Sequence, residues 1–164
     1  MKMFLSKESA QHLEGFLRDY LTEPNLGLPE ISLHNSRLID RIGFALGFDG
    51  LTFRQRVFVT GRVLNRKDTN DIDIDSAFLA HEVIHVLQYR REGTFIFLTK
   101  YLCAFISALR SAEGPLKAKV RNAYLAIPYE QEALQAETYF RCRSETAFLW
   151  HKYKLDRRHK EAMT

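Results

Sequence analysis

The residues best suited to chemistry are His81-Glu82-Val83-Ile84-His85. On a helix, two histidines four positions apart lie one turn apart on one face. Imidazoles placed in this way can both reach one Zn²⁺ at about 2.0–2.1 Å. Glu82 points elsewhere on the helix and need not bind metal. It is placed to accept a proton from zinc-activated water, as the general base of a metallohydrolase does. A catalytic zinc also needs a third protein ligand and an open position. Gln88 shares the face of the two histidines, where it either hydrogen-bonds in a cleft or caps a buried polar site.

The third ligand has to come from further along the chain. A metzincin pattern would place Gly at 88 and His at 91. Gln88 and Arg91 stand there instead and exclude that class. A carboxylate on a later helix remains. Glu113 sits in the break made by Gly114-Pro115, whereas Glu130 falls in the first turn after Pro128. A carboxylate at a helix start suits the positive end of the helix dipole. Glu130 therefore ranks first, Glu137 second and Glu132 third. Glu137 and Glu145 otherwise read as solvated helix charges. Glu130, Ala133 and Glu137 share one face, and Ala133 and Ala136 would let another helix approach closely. Oxyanion stabilisation would need a further donor. Tyr124, Tyr129, Tyr139 and Arg90 are open candidates.

Elements must hold these residues in place. Residues 77–91 are free of Gly and Pro and apolar on most faces, the pattern of a buried helix. A polar stretch over 65–75 reads as a loop that ends at an N-cap, Asp75 or Ser76. Its alternating Asp71, Asp73 and Asp75 lack the Gly of a calcium loop, with Ser76 in its place, and the twelfth position is Glu82, already read as the base, so an acidic loop ahead of a helix is the expectation. Residues 94–111 predict a second apolar helix. The run Phe95–Leu109 is shorter than the ~20 residues of a membrane span and carries Lys100, so it reads as a buried core helix rather than a membrane-surface one. Residues 116–126 continue as helix, and Glu130–Trp150 reads as one long helix started by Pro128. Upstream, 6–21 is helical behind a Ser6 or Ser9 cap, 23–29 is a loop and 31–34 a short strand. Residues 36–46 fit either state, and Thr52–Val59 predicts a strand bounded by Gly50 and Gly61.

The 164 residues are 46% hydrophobic and 27% charged, which excludes disordered, collagenous and low-complexity classes. Two cysteines exclude a disulfide scaffold and a multi-Cys metal cluster. Cys142 reads as a core residue. Residues 1–140 hold 17 basic and 17 acidic residues, so the net +4 resides in 141–164. A basic C-terminal tail over 151–164 is expected, with His151 and His159 solvated, and it could touch a membrane surface or an acidic partner. Beyond Trp150 and Tyr153 it has no aromatic-rich basic motif, which argues against nucleic acid. No secretory signal is evident, so a cytoplasmic location is the expectation, with non-classical export left open.

Two motifs together, Leu79–Gln88 (LAHEVIHVLQ) and Pro128–Ala133 (PYEQEA), resemble gluzincin-like bacterial proteins with HExxHxxQ and a later PYExEA. The first is similar to the core-domain family of extracellular contractile injection systems. Thr52–Val59 loosely matches that family's strand ahead of the metal helix, with Arg54 or Gln55 where it has Gly. The resemblance covers about residues 50–137. It implies an α+β, mostly helical, zincin-like single domain over 1–150, with a small sheet whose edge strand borders the cleft. It also implies zinc held by His81, His85 and Glu130, with Gln88, Tyr129 and Glu137 as supporting candidates. Such families often carry Asp one residue after the Ala that follows the ligand Glu; Leu134 stands there, leaving the support of a ligand His unassigned. The expected activity is a zinc-dependent metallohydrolase, most simply a peptidase acting on a peptide or protein. The alternative is a catalytically silent zincin-like module bound to a larger bacterial secretion or injection assembly.

Overall fold

The computed structural model describes residues 1–66, 72–147 and 152–156. Asp68, Asn70, Asp71, Trp150, His151, His159 and most of the expected tail lie outside them, as does the side chain of Glu145. The chain folds as a mostly helical α+β domain with one mixed sheet. In chain order the elements are β1 (Lys2–Leu5), α1 (Lys7–Leu21), β2 (Ser32–His34), α2 (Arg37–Leu46), β3 (Gly50–Phe53) and β4 (Arg56–Val59). They continue with β5 (Leu64–Arg66), β6 (Ile72–Asp75), α3 (Ser76–Glu92), α4 (Thr94–Ser111), α5 (Leu116–Leu125), α6 (Pro128–Ala147) and β7 (Lys152–Asp156). The sheet order is β3-β4-β2-β1-β7-β6-β5. Among the described residues, β2 and β4 alone pair in parallel; the other neighbours are antiparallel.

Capping chemistry sets several boundaries. Ser6 caps α1 by accepting from the Ser9 amide, and Asp75 caps α3 by accepting from the Phe78 amide at 2.7 Å. Gly93, at φ 79°, ends α3 and turns the chain into α4. The core joins Leu13 and Leu17 of α1 to Met3, Leu33, Val57 and Ile74 of the sheet. On the other side it meets Leu79, Val83 and Ile84 of α3, and Ala133, Ala136 and Phe140 of α6. The small Ala80, Ala133 and Ala136 are fully buried, and α3 and α6 pack together along them.

Five expectations need correcting. Thr52–Val59 is not one strand but the hairpin of β3 and β4, turning at Arg54-Gln55 with Arg54 in the left-handed region (φ 57°). That turn lacks the Asn-Gly or Gly signature of two-residue loops, so its apolar, β-branched flanks read as continuous. Residues 64–66 and 72–75 are strands rather than a polar loop; Ile72 and Ile74 supply the buried face while the intervening residues carry polarity. The expected tail supplies β7, an inner strand between β1 and β6, with Tyr153 and Leu155 buried and Lys152 and Lys154 exposed. Cys142 is exposed, because it falls off the Ala133-Ala136-Phe140 stripe. Finally, α4 is not a core helix: only Phe97 is buried, while Phe95 is 87% and Leu102 57% exposed. Apolar composition alone does not say which faces find neighbours.

Candidate metal centre

Three elements converge where the sequence places its chemistry. α3 presents His81 and His85, one turn apart, with ring centroids 5.1 Å apart. Glu130, in the first turn of α6, faces both. His81 Nε2 lies 3.4 Å from Glu130 Oε2, and His85 Nε2 lies 3.3 Å from Glu130 Oε1. One ligand atom from each of these residues falls within 4.8 Å of the others, so the group could hold a metal ion. Among the described residues, Glu130 Oε2 is buried without a hydrogen-bond partner, as an atom kept for a cation would be. Two nitrogens and a carboxylate oxygen also suit zinc. Of the three ranked carboxylates, Glu130 is the one that joins the two histidines in a group that could hold an ion.

The outer nitrogen of His85 is hydrogen-bonded; that of His81 has a carboxylate nearby but, among the described residues, no hydrogen-bond partner. His85 Nδ1 meets Gln88 Oε1 at 2.8 Å; with the proton on Nδ1 this leaves Nε2 as the free electron pair facing Glu130. Gln88 is itself held, since its amide donates to the Tyr129 carbonyl and to Glu132 Oε2, both at 3.0 Å. Arg91 grips Glu132 with two contacts, at 3.1 and 3.2 Å. His81 Nδ1 lies 3.2 Å from Glu137 Oε2, and Arg141 pairs with Glu137 at 3.0 Å. Glu137, read as a solvated charge, therefore stands behind His81. Glu132, ranked third as a ligand, instead positions Gln88. Tyr129 enters through its backbone carbonyl, while its hydroxyl donates to Glu92 at 2.7 Å.

Glu82 lies on the sheet side of α3. It is 4% exposed, and Thr52 donates its hydroxyl proton to Glu82 Oε2 at 2.7 Å. Thr52 belongs to β3, the sheet edge packed against α3. Gly50 permits this approach: a Cβ there would sit 2.2 Å from Glu82 Oε1 and 2.7 Å from the Phe78 ring. From the other side, Tyr101 of α4 donates to Glu130 Oε1 at 2.6 Å. Tyr124 of α5 lies near enough to feel the Glu130 charge. Of the other oxyanion candidates, Arg90 bonds the Gly27 carbonyl and Tyr139 packs against Phe16 and Tyr20, both outside the cluster.

Charge follows this geometry. Burial would lower the pKa of His81, but the facing carboxylates of Glu130 and Glu137 outweigh it and raise it to about 9. His85 is raised for a similar reason: Glu130 overcomes burial. Burial pushes Glu130 up, yet the two histidines and Tyr101 hold its carboxyl well below the usual range. Burial raises Glu82 despite the opposing charge of His85 and the Thr52 hydrogen bond. Burial, then the Glu130 charge, raises both Tyr101 and Tyr124, so both stay protonated donors.

In the sequence Gly50 and Thr52 mark only the start of a strand, and nothing there ties them to Glu82; Tyr101 reads as one more apolar position in α4. Comparison of the chain with protein-family models, with curated proteins and with solved structures finds no match. The class defined on this evidence is a single α+β domain whose buried His81–His85–Glu130 cluster could hold a metal.

Proposed function

We propose that the protein is a zinc-dependent metallohydrolase of gluzincin type, directed at peptides or proteins, with a zincin-like arrangement of α3, α6 and the β3 edge. The carrying observation is the convergence of His81, His85 and Glu130 ligand atoms within 4.8 Å, beside a buried Glu82. His81, His85 and Glu130 would hold the ion. Zinc, when bound, supplies Lewis acidity and water acidified toward neutrality. Thr52 holds one Glu82 oxygen, which orients the carboxylate and leaves Oε1 to accept and return a proton. Gln88 and Glu137 fix the two imidazoles in orientation. Tyr124, kept protonated by burial and the nearby Glu130 charge, is the oxyanion candidate nearest the cluster.

One observation favours the silent binding module as a second reading. Glu82 is tucked under β3, only 4% exposed, with Thr52 on one oxygen and Gly50 against the other. Elemental analysis of the purified chain, His81→Ala and Glu82→Gln separates the readings. The hydrolase reading expects stoichiometric zinc in the parent and in Glu82→Gln, and its loss in His81→Ala. It also expects the parent to cleave a broad peptide mixture, scored by mass spectrometry, and Glu82→Gln to be reduced at least ~100-fold. Zinc in both proteins with no cleavage by either selects the silent module. Absence of zinc from the parent overturns both.

A further inference from the structure

The α4–α5 hairpin is the part of the fold least explained by its own core. Phe95, Leu98, Leu102 and Ile106 form an exposed apolar stripe along α4, at spacings of three and four that keep them on one face. On α5, Leu116 (75% exposed), Val120 and Tyr124 line up in the same way. The opposite face of α4 is anchored: Phe97 packs on Tyr89 and Tyr129, and Tyr101 bonds Glu130. The hairpin therefore presents an apolar ridge outward while its inner face stays on the domain.

Charge identifies what fits that ridge. Residues 94–126 hold Lys100, Arg110, Lys117, Lys119 and Arg121 against the single acid Glu113, a net +4. The first 140 residues sum to zero, so the rest of that segment is −4. Lys100 pairs with Glu92. The other four cations have no ion-pair partner among the described residues. We propose that the α4–α5 hairpin docks the protein onto an anionic lipid surface, with the apolar ridge in the headgroup–acyl boundary and Arg110, Lys117, Lys119 and Arg121 at the phosphates. Apolar faces flanked by basic residues bind interfaces in this way. A second copy fits less well, because a two-fold pairing would set these unpaired cations against themselves. A span fits less well too: α4 is long and apolar enough to cross a membrane, but Tyr101 bonds Glu130 and Lys100 pairs with Glu92, which holds its inner face on the domain. Docking would set the metal cluster beside the bilayer, since Tyr101 and Tyr124 reach it from the hairpin. The proposal does not depend on the hydrolase reading.

Vesicle flotation of the full chain tests it. Phosphatidylcholine vesicles with about 30 mol% phosphatidylglycerol should bind at least tenfold better than phosphatidylcholine alone, at ~0.1 M salt. Raising salt to ~0.5 M should release the protein. Lys117→Glu with Arg121→Glu should lower binding at least tenfold, at about fivefold per cation lost. Phe95→Ser with Leu102→Ser should do the same, with circular dichroism and metal content unchanged; should that pair unfold, the charge pair decides. The proposal is overturned by no flotation, by equal binding to neutral vesicles, or by binding indifferent to the charge pair. It is also overturned by resistance to alkaline extraction, which means a span, or by a dimer that Phe95→Ser dissociates, which means a second copy.

Discussion

Glu82 and its neighbours show how little room the candidate base has. Its carboxylate is pinned by Thr52 on one oxygen and lies against the α-carbon of Gly50 on the other. Gly50→Ala would put a methyl carbon 2.2 Å from Oε1, so the carboxylate must swing away. Overpacking of this kind costs about 1–3 kcal/mol. The expected result is stoichiometric zinc, a modestly lowered Tm and hydrolysis reduced at least ~10-fold. Undiminished hydrolysis in that variant would remove Glu82's position from the mechanism. The HExxH spacing made His81, Glu82 and His85 legible, because a helix has one period and the motif uses it. The partners of those residues were legible only in part. Gln88 and Glu137 lie at helical offsets from what they support or face, whereas Thr52 and Tyr101 arrive from other elements, and no local pattern announces them.

At the scale of elements, β7 changes the meaning of the C-terminal segment. A basic stretch reads as solvated tail, but Lys152 and Lys154 alternate with Tyr153 and Leu155, the period-two pattern of a half-buried strand. β7 joins β1 to β6, so the sheet is divided without it. Burying Tyr153 and Leu155 contributes roughly 1.5–3 kcal/mol each, and the ladder bonds to both neighbours add to that. Domain stability is about 5–15 kcal/mol, so a chain truncated after Trp150 should lose its cooperative thermal transition. A truncated protein with the parent Tm would show that β7 is dispensable. Five residues, three of them charged, inside a basic segment are too short a run for their alternation to stand out. The α4 helix errs in the opposite direction: its composition is that of a core, but only one face finds a partner.

For the molecule as a whole, α1 is tied to β7 by His12 Nδ1 and the Tyr153 hydroxyl at 2.9 Å. Burial first, and the Arg143 charge second, lower the His12 pKa below its ordinary 6.5. The folded state therefore favours neutral His12. Its contribution is present above pH ~6.5 and lost as pH falls through the lower folded value. His34, lowered by burial and then by Lys2 and Arg56, acts with the same sign, while His81 and His85 act oppositely in metal-free protein. The comparison of parent and His12→Gln isolates one term: Tm measured from pH 8 to 5 should fall less steeply in the variant. Identical slopes would sever His12 from acid stability. The sequence by itself determined the helical motif that aims two imidazoles at one point, the helix start that carries Glu130, and the alanines that let α3 and α6 meet, because these are local and periodic. Only the tertiary structure decided that β3 clamps Glu82, that Tyr101 and Tyr124 reach Glu130, that β7 completes the sheet and that the α4–α5 ridge stays uncovered. Those depend on which surfaces meet across long stretches of chain, and residue spacing carries no record of that.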